Sequence, residues 1–150
     1  MPINFHTENI DFKLKRKLQL KAWIKSVIET EKKTLGTINY IFCDDGFMLN
    51  LNKDYLNHNS LTDIITFDYC VYHKNMHRVN SDIFISIERV QENAKKFDVA
   101  FESELQRVMI HGVLHLCGYK DKTAPDKEQM RKMEDKSLKK LRLFSSNRSK

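Results

Sequence analysis

FESELQRVMIHGVLHLCGYKD, residues 101–121, is the stretch on which the reading of this chain turns. Phe101, Leu105, Val108, Met109, Gly112 and Leu116 recur at the three- and four-residue steps of a helix, and a helix so apolar should lie largely inside the protein. Gly118 should stop it, because glycine readily takes the left-handed backbone at a helix C-terminus. His111 and His115 are one turn apart, so their side chains stand about 6 Å apart along the axis on nearly the same face and can meet one metal ion. Histidines at this spacing also occur as ordinary core or surface residues, so the pair alone does not decide. Asp121 follows three residues after Gly118, where a chain turning back can offer a carboxylate to the same ion. Three protein ligands with a fourth position left for water is the catalytic arrangement for zinc, whereas a structural zinc usually closes with four. Cys117 should point to the other side of the helix, into the core. Lys120 and Lys122 are protonated at neutral pH and make poor ligands.

Outward from this helix the chain reads as one α/β mixture, with no repeat or Pro/Gly/Ser-rich linker to divide residues 1–150 into two domains. Ile3 to Phe5 suggests a short strand. From about Lys13 to Lys32, Leu14, Leu18, Ala22 and Ile28, widened by Trp23 and Val27, suggest an amphipathic helix. Thr37 to Phe42 alternates with a strand's period of two, and Asp44-Asp45-Gly46 then signals a helix start ahead of Met48, Leu49, Leu51 and Leu56. Ile64 to Tyr69 and Asp82 to Ile87 read as strands separated by a polar loop from His73 to Ser81. Val90, Ala94 and Phe97 mark a helix before the central one. Thr123 to Asp126, enclosing Pro125, resembles a capping box that starts a last helix running to about Leu143, with Ser145 to Lys150 frayed.

Length and composition agree with a folded domain: 150 residues can close a core without staples, and 41% of them are hydrophobic. Cys43, Cys70 and Cys117 are odd in number and widely spaced, which argues for reduced thiols rather than a disulfide framework or a four-cysteine zinc site. The first twenty residues carry Glu8, Asp11, Lys13, Lys15, Arg16 and Lys17 and leave no room for the apolar centre of an export signal. No apolar run approaches a membrane span. A cytoplasmic protein is therefore expected. The net charge of +6 favours polyanions. Its lysines and arginines are densest in two segments, Lys13 to Lys25 and Lys127 to Arg142, each of which is either a solvated helical face or an RNA-facing one.

The string from His111 to Asp121 resembles the signature of the YbeY family of bacterial endoribonucleases and ribosomal RNA maturation factors, His-Gly-x-Leu-His-Leu-x-Gly-Tyr-Asp-His. It matches at His111, Gly112, Leu114, His115, Leu116, Gly118 and Tyr119. Leu51-Asn52, Tyr55 and the run Leu61 to Phe67 are similar to that family's Leu-Asn-x-x-Tyr…Pro-Thr-Asp-Val-Leu-Ser-Phe segment, and Asp82-Ile83 through Ile85-Ser86 to a third. Two positions depart from it. Asp121 stands where the family has a third His, which leaves an oxygen ligand suited to zinc at a similar distance. Leu56 stands where the family often has an Arg, so another cation would have to grip phosphate. The resemblance implies a compact α/β (α+β) fold, a small mixed four-stranded sheet with about five helices and a metal at the end of the central helix.

It also implies a metal-dependent, single-strand-specific endoribonuclease acting at the 3′ end of small-subunit ribosomal RNA, with RNA and the ribosome as partners and one Zn2+ or other divalent transition metal as cofactor. The metal ligands would be His111, His115 and Asp121, and Asp63 is the candidate general base, although a turn or cap residue is its ordinary reading. A non-catalytic ribosome-binding factor with a structural metal is the alternative that the charge suits equally. A zinc peptidase or small-molecule hydrolase fits less well, since Gly112 stands where the zinc-protease motif has its Glu base.

Overall fold

Alternating apolar residues in three segments build three parallel strands. A computed structural model describes residues 2–56 and 62–148, with side chains through 55 and from 62 to 144. The elements are β1 (Ile3–Glu8), α1 (Lys17–Thr30), β2 (Thr34–Cys43), α2 (Asp45–Leu56), β3 (Ile64–Asp68), β4 (Val71–His73), β5 (Met76–Ser86), α3 (Ile87–Lys96), α4 (Phe101–Leu116) and α5 (Ala124–Arg148). β1 pairs parallel with β2 and β2 parallel with β5, the pairing that helical crossovers permit, and β3 and β4 pair antiparallel with β5. The fold is therefore mixed α/β, with five helices and a five-stranded sheet.

The fifth strand departs from the expected four. The segment expected as a loop from His73 to Ser81 is mostly paired. Ile64 lies opposite Ile85, Asp68 opposite Ser81, Val71 opposite Arg78 and His73 opposite Met76, all in one continuous register. β3 and β4 are thus two parts of a single hairpin arm, interrupted where the Asp68 carboxylate accepts a hydrogen bond from the Cys70 amide at 2.9 Å. Ladder hydrogen bonds join main chains and do not require apolar side chains, so polar residues read as a loop can extend a hairpin.

One face of the sheet, through Ile38, Tyr40, Phe42, Val79, Ile83 and Ile85, forms the main core with α1 and α4. Each such side chain taken fully out of water contributes about 1.5–3 kcal/mol. Buried polar groups there are paired: the Trp23 indole donates to the Ser137 carbonyl at 2.7 Å and the Tyr40 hydroxyl to the Met109 carbonyl at 3.0 Å. α1 begins at Lys17, later than expected, because Arg16 at its N-cap has a left-handed backbone with φ 59°. Leu14 packs on the core from the preceding loop while Leu18 is 68% exposed, so their four-residue spacing does not mark a buried face. Ala22 is also exposed. The buried stripe is Leu20, Trp23, Ile24, Val27 and Ile28.

α4 crosses the sheet closely at Gly112. A Cβ there would lie 3.0 Å from Ile64 Cδ1 and 3.1 Å from Thr66 Cγ2. α4 ends as expected, with Gly118 at φ +112° and the Tyr119 amide donating to the Leu114 carbonyl at 3.0 Å. The capping box is formed as well: the Asp126 amide donates to Thr123 Oγ1 at 3.2 Å and the Thr123 amide to Asp126 Oδ2 at 3.4 Å. α5 runs on to Arg148, beyond the expected end near Leu143.

Candidate metal centre

α4 places His111 and His115 one above the other with ring centroids 4.5 Å apart and planes at 84°. The connection after Gly118 brings Asp121 back to them. Asp121 Oδ2 lies 3.3 Å from His111 Nε2 and 3.2 Å from His115 Nε2. One ligand atom from each of the three residues lies within 4.8 Å of the others, and among the described residues this is the one cluster of His, Cys, Asp or Glu that could hold an ion. All three side chains are partly exposed, so the centre opens to solvent.

The chemistry of the donor set fits a divalent metal. His115 Nδ1 is 2.9 Å from the Tyr119 carbonyl, which can only accept, so Nδ1 carries the proton. His111 Nδ1 is 2.6 Å from Glu134 Oε2, and an ionised carboxylate also can only accept. Both rings therefore turn an Nε2 lone pair toward Asp121 when neutral. This orientation of metal-binding imidazoles by a carboxylate and a backbone carbonyl is the usual one.

Glu134 is buried on α5, with a side chain 7% exposed, and its second oxygen accepts from Arg107 Nη1 at 2.8 Å. Arg107 also donates from Nη2 to Asp135 at 2.7 Å, so one guanidinium holds two successive carboxylates of α5. Burial is the largest single influence and disfavours the charge on both His111 and Glu134, yet their mutual hydrogen bond and the neighbouring charges together outweigh it. The His111 pKa is raised, aided by the charges of Glu134, Asp121 and Asp63, and the Glu134 pKa is lowered, aided by Arg107.

Asp63 precedes β3 and stands close enough to feel the charge of His111. Burial is the main cause of its raised pKa, while His111 and the amides of Asp63 and Ile64 oppose the rise. Burial likewise raises the pKa of Glu104, with Asp63 adding to it. The sequence reading thus selected His111, His115, Asp121 and Asp63, which the fold brings into one neighbourhood. It missed Glu134 and Arg107. A signal for Glu134 existed, because it is an acid within the otherwise buried stripe Met130, Ser137, Leu138 and Leu141 of α5. Leu56 closes α2. His58 lies outside the described residues. His73 and His77 sit on β4 and β5, where the His77 ring packs on Tyr72 at 4.3 Å.

The neighbour of the first histidine bears on the reaction class. In the zinc-protease helix motif a Glu follows the first His as general base. Here Gly112 faces β3 and β5, and no side chain fits between helix and sheet without displacing Ile64 or Thr66.

Comparison with known proteins adds an independent line. A family profile described as Endoribonuclease YbeY matches residues 3–142. The chain is 53% identical over 137 residues to Endoribonuclease YbeY of Flavobacterium psychrophilum, covering 91% of this chain and 94% of that protein. The corresponding Flavobacterium johnsoniae protein is 50% identical over 136 residues, covering 91% and 94%. The solution structure of TM1509 from Thermotoga maritima superposes with a TM-score of 0.63 at 26% identity, covering 98% of this chain and 92% of that one.

Proposed function

This chain belongs to the YbeY family of endoribonucleases, and from that premise we propose that it cuts single-stranded RNA in a metal-dependent way during ribosomal RNA maturation, at the 3′ end of the small-subunit RNA. The family makes it a hydrolytic nuclease. The proposal extends to one ion per chain, zinc in the first instance, held by His111 Nε2, His115 Nε2 and Asp121, to a single catalytic domain over residues 1–150, and to work on the ribosome in the cytoplasm. No helix among the described residues is long and apolar enough to cross a membrane.

The observation that carries the metal reading is the convergence of two imidazole Nε2 atoms and Asp121 Oδ2. A divalent ion held there supplies an activated water and neutralises charge gathering on the phosphoryl oxygens. The remaining work falls to side chains of the chain itself. Asp63 is assigned as the group that takes the proton of the attacking water on its carboxylate. Its burial and raised pKa support a carboxylate basic enough for that role. Asp121 Oδ2 stands within 3.3 Å of both imidazole Nε2 atoms and would complete the ligand set. A single strand is the favoured substrate because its phosphodiester can reach an in-line geometry that a stacked A-form duplex resists.

The test incubates ribosomal RNA with wild type, with chelator-treated protein and with His111→Ala and Asp63→Asn variants, purified identically to exclude contaminating nucleases. Cleavage by wild type alone, restored by adding metal back to the stripped protein, is expected. Equal cutting in every preparation, or RNA binding without cutting in all of them, would overturn the enzyme reading, the second result in favour of a non-catalytic ribosome-binding factor.

A further inference from the structure

We infer that Glu134 is a positioning residue for the metal centre: from α5 it holds His111 with its proton on Nδ1 and its Nε2 free for an ion, and Arg107 holds Glu134 in that place. This inference rests on the reading of His111 as a ligand. The two histidines are oriented by different means. His115 is fixed by its own helix end, through the Tyr119 carbonyl. His111 lies mid-helix, where backbone carbonyls are already used, and takes its orientation from a separate helix, through Glu134 Oε2 at 2.6 Å.

A carboxylate as buried as Glu134 is costly unless both oxygens are engaged. His111 occupies one oxygen and Arg107 the other, while Asp135 holds the far side of the guanidinium. Arg107 and His111 are one turn apart on α4, so the helix presents a guanidinium and an imidazole together to one carboxylate. Without Glu134, either ring nitrogen of His111 could carry the proton and the ring could rotate. A population with the proton on Nε2 cannot bind an ion there. Outer partners of this kind typically set affinity by about 10- to 100-fold.

A clamp that merely joins α4 to α5 would make different demands, and two measurements separate the roles. Zinc affinity is read by competition with a chromogenic chelator. The imidazole tautomers of metal-free protein are read by nitrogen NMR on the alkaline side of the His111 titration. Wild type should bind zinc and show both histidines protonated on Nδ1. Glu134→Ala should lose about 10- to 100-fold in zinc affinity, with His111 shifting to a mixture of tautomers while His115 keeps its own. Glu134→Gln leaves one acceptor oxygen for two donors; with that oxygen on Arg107, which can only donate, the amide N–H faces His111 Nδ1, so the His111 proton should move to Nε2 and zinc affinity should fall as in Glu134→Ala. A folded Glu134→Ala protein with wild-type affinity and an unchanged His111 tautomer overturns the inference. Should Glu134→Ala not fold, wild-type affinity in Glu134→Gln overturns it in the same way. Failure of wild type itself to bind zinc would instead remove the ligand reading on which the inference stands.

Discussion

His115 presents Nε2 to Asp121 and spends Nδ1 on its own helix end, so its loss removes a donor that no other described residue is placed to replace. His115→Ala should therefore abolish stoichiometric binding of a divalent transition metal, checked by elemental analysis beside wild type; equal metal in both proteins would refute the assignment. Asp121→Ala should weaken zinc binding, and Asp121→His should retain or strengthen it, since imidazole and carboxylate bind zinc at similar distances. Competition titration of the two variants decides between this outcome and a ligand elsewhere. The thiols give a further prediction. Burial, helped by the charges of Asp44 and Asp45, pushes Cys43 up to about 12, and burial, helped by Glu31, pushes Cys117 to about 12. Cys70, less buried, stands at about 11. A thiolate-specific reagent at neutral pH should thus react slowly with native protein, Cys70 first, and with all three residues once denaturant is added. Rapid modification of Cys117 in the native state would contradict the packing at the end of α4. At this scale the metal cluster was legible because its members lie within one short stretch and helical spacing fixes two of them. Arg107 was not, and Glu134 only as an acid set in the buried stripe of α5, because nothing in their local sequence says which helix they will face.

Among the elements, α4 depends on the absence of a side chain at residue 112. Gly112→Val adds methyl groups where Ile64 Cδ1 and Thr66 Cγ2 already stand at contact, with Ile83 Cδ1 3.5 Å away. Overpacking of this kind costs about 1–3 kcal/mol, so the urea midpoint should fall with little change in slope, and the imidazoles should move with the helix and bind metal less tightly. An unchanged midpoint would mean that α4 is free to lift from the sheet. The helix itself was readable from periodicity and its glycine stop, as were the capping box of α5 and the β2–α2 unit. Pattern failed in two places for physical reasons. Leu14 and Leu18 share a helical interval by accident, since Arg16 turns left-handed between them and puts the first in the core and the second in water. The β3–β4/β5 hairpin hides its length because its outer half is paired through the main chain while most of its side chains, Val71, Tyr72 and Met76 among them, stand exposed and show no buried face.

Across the whole molecule, two basic segments that the sequence keeps far apart are brought together. α1 packs beside α5, where Lys140 Nζ donates to Thr30 Oγ1 at 2.7 Å, and exposed Lys25, Lys136 and Lys139 lie on these adjoining helices. Charge was legible in the sequence, but the joining of its two sources was not, because it depends on helix packing. RNA affinity should fall steeply with salt, by a log–log slope of about −0.7 for each phosphate contacted on a single strand. Lys136→Glu with Lys139→Glu should weaken RNA binding and flatten that slope while leaving metal content intact; a wild-type slope would place the RNA on another surface. The connection between α4 and α5 carries a consequence of a different kind. It is short, closed at one end by the Gly118 turn and at the other by the Thr123–Asp126 box, with Tyr119 fastened to Glu31 through its hydroxyl at 2.8 Å. Asp121 thus loses its conformational freedom when the chain folds rather than when an ion arrives. The ordering entropy of the proposed third ligand is charged to folding, and metal should register as a concentration-dependent gain in thermal stability on an already shaped protein, not as the event that shapes it.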